Sequence, residues 1–274
     1  MNIRSPAGNE YQVGKALGKT DRYNLYECQS TGCPLGILKI ATTVAHNGAL
    51  DREAYILDLM RAEATSLEDA YAKIKEGSGM LNYHFLFPNL IESFEDADQG
   101  NRRVTILSFS HIVKELGELV PIAFLAQRDR VRVDPKTSAW MMSKLLKLLV
   151  FTQSQGISIG AVTGENILIH RAQHYVSVFD WSRAMVAKGN LPNYIVSQEI
   201  KDAAREVLLA LGGNPETGEL PADEQLVDDR YEKALWALVN NRDGVASTVH
   251  ERFCELIWSV WPRAFHPFTT HRLE

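Results

Sequence analysis

"SQGISIGAVTGENILIH", Ser154 to His170, is entered from a helical pattern and ends in a short apolar run. The preceding stretch, "KTSAWMMSKLLKLLVFTQS", places Met141, Leu145, Leu148 and Leu149 on one face, the repeat of an amphipathic helix. After the loop, "NILIH" and "YVSVFD" are strand-like and flank a four-residue turn, Arg171 to His174, so they predict a small hairpin. A long helix, a glycine-containing loop and a hairpin thus form one predicted unit.

Working outward, the two sides of this unit differ. Before it, "YQVGKALG", "YNLYECQ" and "GILKIAT" predict an antiparallel meander, and "NLIESFE" and "RRVTILSF" predict two more strands around the polar turn "DADQGN". Between the two sets lie a helical stretch from Leu50, with Ala54, Ile56, Leu57, Leu59 and Met60 near one stripe, and a second helix capped by Ser66 and ending at Gly77. Beyond Ser110 the pattern turns helical through "VKELGELVPIAFLAQ" and, later, "SQEIKDAAREVLLALGG", "ADEQLVDDRYEKALWALVNN" and "VHERFCELIWSVW". The expected fold class is α+β: a β-rich lobe over residues 1–109 with one or two helices, and a mainly helical lobe over 110–274. Ligands tend to bind between such lobes.

With 45% hydrophobic and 23% charged residues in 274, the composition is that of an ordinary globular protein. A net charge of -5 argues against a surface built broadly for nucleic acid or anionic lipid, and no apolar run is long enough to span a bilayer. The expectation is therefore a cytoplasmic protein with no nucleic-acid or membrane partner. Cys28, Cys33 and Cys254 show no paired ligand spacing and read as small core residues. The tryptophans of "WMMSKLL", "LWALV" and "IWSVW" read as filling for the helical lobe, and "RDRVRV", Arg128 to Val133, as a solvated connector.

Taken in order, the segments resemble a protein kinase-like fold across most of the chain. "LGKTDRYNLY" is similar to the family's glycine-rich loop: Gly18 holds the first glycine position, Thr20 and Tyr23 stand where the other two would be, and Leu25 replaces a valine. Lys39 in "GILKI" matches the strand lysine and Glu53 in "DREAYIL" its helix partner, a pair that in the family positions the lysine against the α- and β-phosphates. In the opening stretch the resemblance aligns Ile159, Gly160 and Ala161 with the His-Arg-Asp of the catalytic loop and retains Asn166. "VSVFDWSRA" resembles the magnesium-binding segment, with Asp180 in the acidic position and Trp181-Ser182 in place of Phe-Gly. Asp202 falls where a buried helix aspartate would anchor the catalytic loop. Read alone, each of these residues has an ordinary explanation in a turn, strand edge or helix end.

The resemblance implies ATP as a ligand of the interlobe cleft and Mg²⁺ held by the oxygens of Asn166 and Asp180. It also implies the loss of the base, because alanine at 161 can neither orient a hydroxyl nor accept its proton, a role worth about 10²–10⁴-fold in rate. The expected function is a pseudokinase, a regulatory or scaffolding module with a protein partner. One alternative is an atypical phosphotransferase or nucleotidyl transferase recruiting Glu165, Thr163 or Ser158 as a substitute base, and another is a nucleotide-free scaffold.

Overall fold

Short apolar runs separated by polar or glycine-containing turns build strands in the first part of the chain, the central ones buried on both faces. In the computed structural model, which describes residues 1–74, 81–221, 229–240 and 244–273, these are β1 (Asn2–Arg4), β2 (Glu10–Lys19), β3 (Tyr23–Ser30), β4 (Cys33–Ala41), β5 (Asn89–Asp96) and β6 (Arg102–Ser108). They form one antiparallel sheet in the order β1-β2-β3-β4-β6-β5. The five expected strands are present, and β1 adds a sixth at the edge.

The sheet core is Ile3, Tyr11, Cys28, Cys33, Leu38, Ile40, Phe94, Val104 and Ile106. Cys28 and Cys33 are free thiols within it, and burial pushes Cys28 up to about 12. Gly36 lies against them: a Cβ there would meet Cys28 Sγ at 2.6 Å and the Cys28 carbonyl oxygen at 2.9 Å. Gly36→Ala is therefore expected to cost about 1–3 kcal/mol by overpacking, read as a lowered urea midpoint; an unchanged midpoint would refute that tight fit.

Helix α1 (Asn47–Ile74) packs on β5 and β6. It is one continuous helix, where the sequence pattern predicts a break with Ser66 as a new cap; Gly77, the expected end, lies outside the described residues. No glycine or proline interrupts α1 after Gly48. Thr65 turns its hydroxyl back to the Arg61 carbonyl at 2.9 Å, the bond such residues make inside a helix. Farther along, Glu68 accepts from the amides of Tyr83 (2.5 Å) and His84 (3.1 Å) and pairs with the His84 ring at 2.7 Å, which holds the second half of the helix to the chain that follows.

The chain divides into two compact units, Met1–Glu118 with Asp180–Ala184, and Leu119–Phe179 with Met185–Glu274. The stretch from Val113 to Gln127, expected to be helical, is mostly not: it holds a 3₁₀ turn (Leu116–Glu118), strand β7 (Leu119–Pro121) and only a short helix, α2 (Ala123–Gln127). The reason is tertiary. Leu119, Val120 and Pro121 pair with β10 (Ile167–His170), which completes a three-stranded sheet with β11 (Tyr175–Val178). The β10–β11 turn is the expected one, and His174 closes it with φ 57.

In the second unit β8 (Val131–Val133) leads to α3 (Pro135–Ser154), which starts on Asp134: its carboxylate accepts from the Thr137 amide at 2.8 Å, with proline at the first turn. Met141, Leu145, Leu148 and Leu149 are all buried. Around α3 pack α4 (Asn193–Ala210) and α6 (Ala246–Val260), with α5 (Arg230–Val239) on α4. Short pairs β9–β12 (Ile157–Ser158, Met185–Val186) and β8–β13 (Thr270–Arg272) tie down the loops. Among the described residues no helix is long and apolar enough to cross a membrane.

The tryptophans correct another expectation. The one fully buried indole is Trp181, while Trp140, Trp236 and Trp261 are half-buried and Trp258 is 45% exposed. α3 buries Met141, Met142, Leu145 and Leu146 instead, α5 Leu235 and Val239, and α6 Phe253 and Cys254.

Candidate functional site

In the first unit, strand β4 carries Lys39 inward, so its ammonium is 0% exposed and needs counter-charges. Glu53, one turn into the buried stripe of α1, supplies one: Lys39 Nζ donates to Glu53 Oε1 at 2.6 Å. Asp180 supplies the other, at 2.9 Å. Glu53 Oε1 also accepts from the Trp181 amide at 2.9 Å, and its Oε2 has no hydrogen-bond partner among the described residues. Asp180 is fixed in turn by the Ser182 amide (3.1 Å) and hydroxyl (3.2 Å).

Burial opposes charge on all three groups, with different outcomes. For Lys39 burial pulls the pKa down, but the two carboxylates outweigh it and hold the ammonium above its ordinary value. Burial also pushes at Asp180, yet Lys39 and the Ser182 donors hold it below the usual carboxylate range. Glu53 is pushed up by burial more than Lys39 pulls it down.

A third side of the ammonium is closed by an aromatic ring. Tyr23, 3% exposed, lies with its ring centroid 4.4 Å from Lys39 Nζ, and burial together with nearby Asp180 raises its hydroxyl pKa. A cation over an aromatic face is favourable, more so away from water. Tyr23 is wedged with Ala41 and Leu50, and Leu25 packs on them. At the tip of the β2–β3 hairpin the Thr20 hydroxyl accepts from the amides of Arg22 and Tyr23, both at 3.1 Å. Arg22 reaches the Ser182 carbonyl at 2.9 Å, so the hairpin also holds the segment that carries Asp180.

In the second unit the loop of the opening stretch is built on a buried carboxylate. Glu199 of α4 uses Oε1 to accept from the Ser158 hydroxyl (2.8 Å) and the amides of Ile159 (2.5 Å) and Gly160 (3.2 Å); Gln153 donates to its Oε2 at 3.3 Å. Burial raises the Glu199 pKa despite these donors. Gly156 has φ +67, and a Cβ there would stand 2.7 Å from the Gly189 carbonyl oxygen. Asn166, 6% exposed, closes the loop by donating its side-chain amide to the Ala161 carbonyl at 2.8 Å. Glu206 Oε2 lies against Gly164, where a Cβ would stand 2.6 Å from it, and burial raises its pKa too.

No protein-family model matches the sequence, and no curated protein matches it either. Solved structures do. Vaccinia related kinase 3 aligns with a TM-score of 0.62 over 94% of this chain and 90% of its own, at 17% identity. The BubR1 kinase domain aligns with 0.63 over 94% and 83%, at 13% identity. The PknI kinase domain of Mycobacterium tuberculosis, as a double mutant, gives 0.52 over 89% and 94%, at 14% identity. The fold is that of a protein kinase domain.

Within this kinase fold, Lys39, Glu53 and Asp180 are brought together in the first unit, and Asn166 belongs to the second. Gly18 sits in β2, paired with Leu25 just after a register irregularity between Ala16 and Gly18, and neither a positive φ nor a close neighbour calls for glycine there. Thr20 is a turn-forming residue. Of the proposed substitute bases, Glu165 and Thr163 are exposed, and the Ser158 hydroxyl is committed to Glu199.

Asp202 does not anchor the loop. It accepts from Gln198 at 2.8 Å on its own helix, and the anchor is Glu199, three residues earlier. Positions three apart share a helix face, so the alignment had the right face and the wrong turn. The aromatic cap of Tyr23 on Lys39 was not foreseen; a bulky ring in place of a glycine was the signal.

Phosphate oxygens would need the Lys39 ammonium and the amides of the β2–β3 turn. As arranged, those donors do not fit a phosphate group: Tyr23 covers the first, and Thr20 accepts from Arg22 and Tyr23. Asp180 in the first unit and Asn166 in the second each carry an oxygen of the kind Mg²⁺ prefers, and that of Asp180 is already taken by Lys39 and Ser182.

Proposed function

We propose that this chain is a kinase-fold binding module of the pseudokinase kind, acting as a regulator or scaffold for a protein partner without transferring phosphate. The observation that carries this reading is the self-satisfied ammonium of Lys39, enclosed by Glu53, Asp180 and the Tyr23 ring. Alanine at 161 supports it, because the loop then offers no carboxylate to a substrate hydroxyl.

A second reading, binding of ATP with Mg²⁺, is favoured by the charged state of Lys39 and Asp180. In it Tyr23 must swing away before phosphate can reach Lys39, and its displacement would alter the hairpin that a partner meets.

Thermal unfolding of the wild type and Tyr23→Gly, each with and without ATP and Mg²⁺, separates the two. The expected result is no shift for the wild type and a Mg²⁺-dependent shift for Tyr23→Gly. A ligand at 100 times its Kd adds about 2.7 kcal/mol, which raises Tm by about 5–10 °C for a chain of this size. A Mg²⁺-dependent shift in the wild type, lost in Lys39→Met, would replace the first reading with the second.

A further inference from the structure

The second unit contains a recess of about 320 Å³ between α3, the β10–β11 turn and the segment after α6. Lys136, Lys144, Arg263, His174 and His266 line it, and no aspartate or glutamate does, although the chain as a whole carries a net charge of -5. His266 is engaged by Asp134 at 2.7 Å. Lys144 is shielded enough for burial to lower its pKa.

The walls are aromatic. His174 is sandwiched between Trp140 and Phe265, with centroids 4.6 and 4.8 Å apart and rings within 8° of parallel. The Arg263 guanidinium lies 3.5 Å over the Trp258 ring. Two ring nitrogens, Trp140 Nε1 and His174 Nε2, are buried and have no hydrogen-bond partner among the described residues. Unmet buried polar groups of this kind are uncommon and call for a partner.

Size, charge and lining agree. The volume falls at the small end of ligand sites, which pair apolar walls with a few polar groups. We propose that this recess binds a small organic anion with a planar ring, of the aryl phosphate class: the anionic head meets Lys144, Arg263 and the Trp140 N–H, and the ring lies against the indoles. The site belongs to the second unit and does not depend on the nucleotide reading of Lys39.

Phenyl phosphate titrated into the full chain, followed by calorimetry and tryptophan fluorescence, tests this. The expected result is saturable binding at least ten-fold tighter than that of inorganic phosphate or phenol, weakened at least ten-fold by Lys144→Met and by Arg263→Met, and unaltered by Tyr23→Gly. Arg263 is exposed, so its variant tests the site even if Lys144→Met fails to fold. Equal affinity for inorganic phosphate would mean an adventitious ion only, and equal affinity for phenol would mean ring packing without an anion site. Either result, or binding indifferent to Arg263→Met, overturns the proposal.

Discussion

Replacing Lys39 by methionine is expected to cost about 3–5 kcal/mol of unfolding free energy, the usual consequence of leaving a buried charge without its partner. Lys39 and Glu53 are both 0% exposed, and Asp180 lies on the same ammonium. Methionine fills much of the volume but leaves two carboxylates facing each other in a poorly hydrated place. The variant's penalty should also depend on pH. Without Lys39, Glu53 has an even higher folded pKa than burial already gives it. A raised folded pKa means the folded state keeps a proton that the unfolded chain has released, so stability falls as pH rises above the ordinary glutamate value of 4.5. Urea unfolding at pH 5 and pH 8 checks both claims: the loss should be larger at pH 8, and Glu53→Gln added to Lys39→Met should recover part of it. A loss under about 1 kcal/mol, as for an exposed pair, would show that the charges are not buried together.

The second large effect is expected at Glu199. Its one oxygen satisfies a hydroxyl and two amides in the loop. Each buried donor left unmet costs about 1–3 kcal/mol, so Glu199→Ala should lose about 3 kcal/mol or more. Glutamine keeps an acceptor at the same reach and should lose about 1 kcal/mol. Burial raises the Glu199 pKa, so the wild type loses stability as pH climbs from 4.5 through that raised value; Glu199→Gln has no such proton and should show a flatter profile. Amide exchange at Ile159 and Gly160 gives an independent readout. Unchanged protection of those two amides in Glu199→Ala would disprove the anchoring role.

Much of the first unit was legible because short apolar runs bounded by polar or glycine-containing turns mark strands, as in β3 and in β4, which is buried over most of its length. Lys39 and Glu53 were legible through order along the chain, and Asp180 through its place after a strand. The failures have separate causes. Val113 to Gln127 carries apolar residues at spacings that suit a helix, and only the pairing of β7 with β10 decides otherwise. Ser66 looked like a cap because local signals carry no knowledge of Glu68 gripping Tyr83 and His84. The resemblance points to Asp202 and says nothing of Glu199, whose longer side chain one turn earlier is the one that meets the loop donors. Half-exposed tryptophans passed for core because aromatic content alone does not say which face of a helix is covered.

Asp180 to Ala184 belong with the first 118 residues, although roughly sixty residues of the other unit come between them. A ribosome therefore releases Lys39 and Glu53 well before their third partner exists. At about 5–20 residues per second the nascent chain waits several seconds for Asp180 and the Trp181 amide. During that interval the first unit lacks the segment that seals its charged interior, so a fragment ending at Glu118 cannot reproduce the native site.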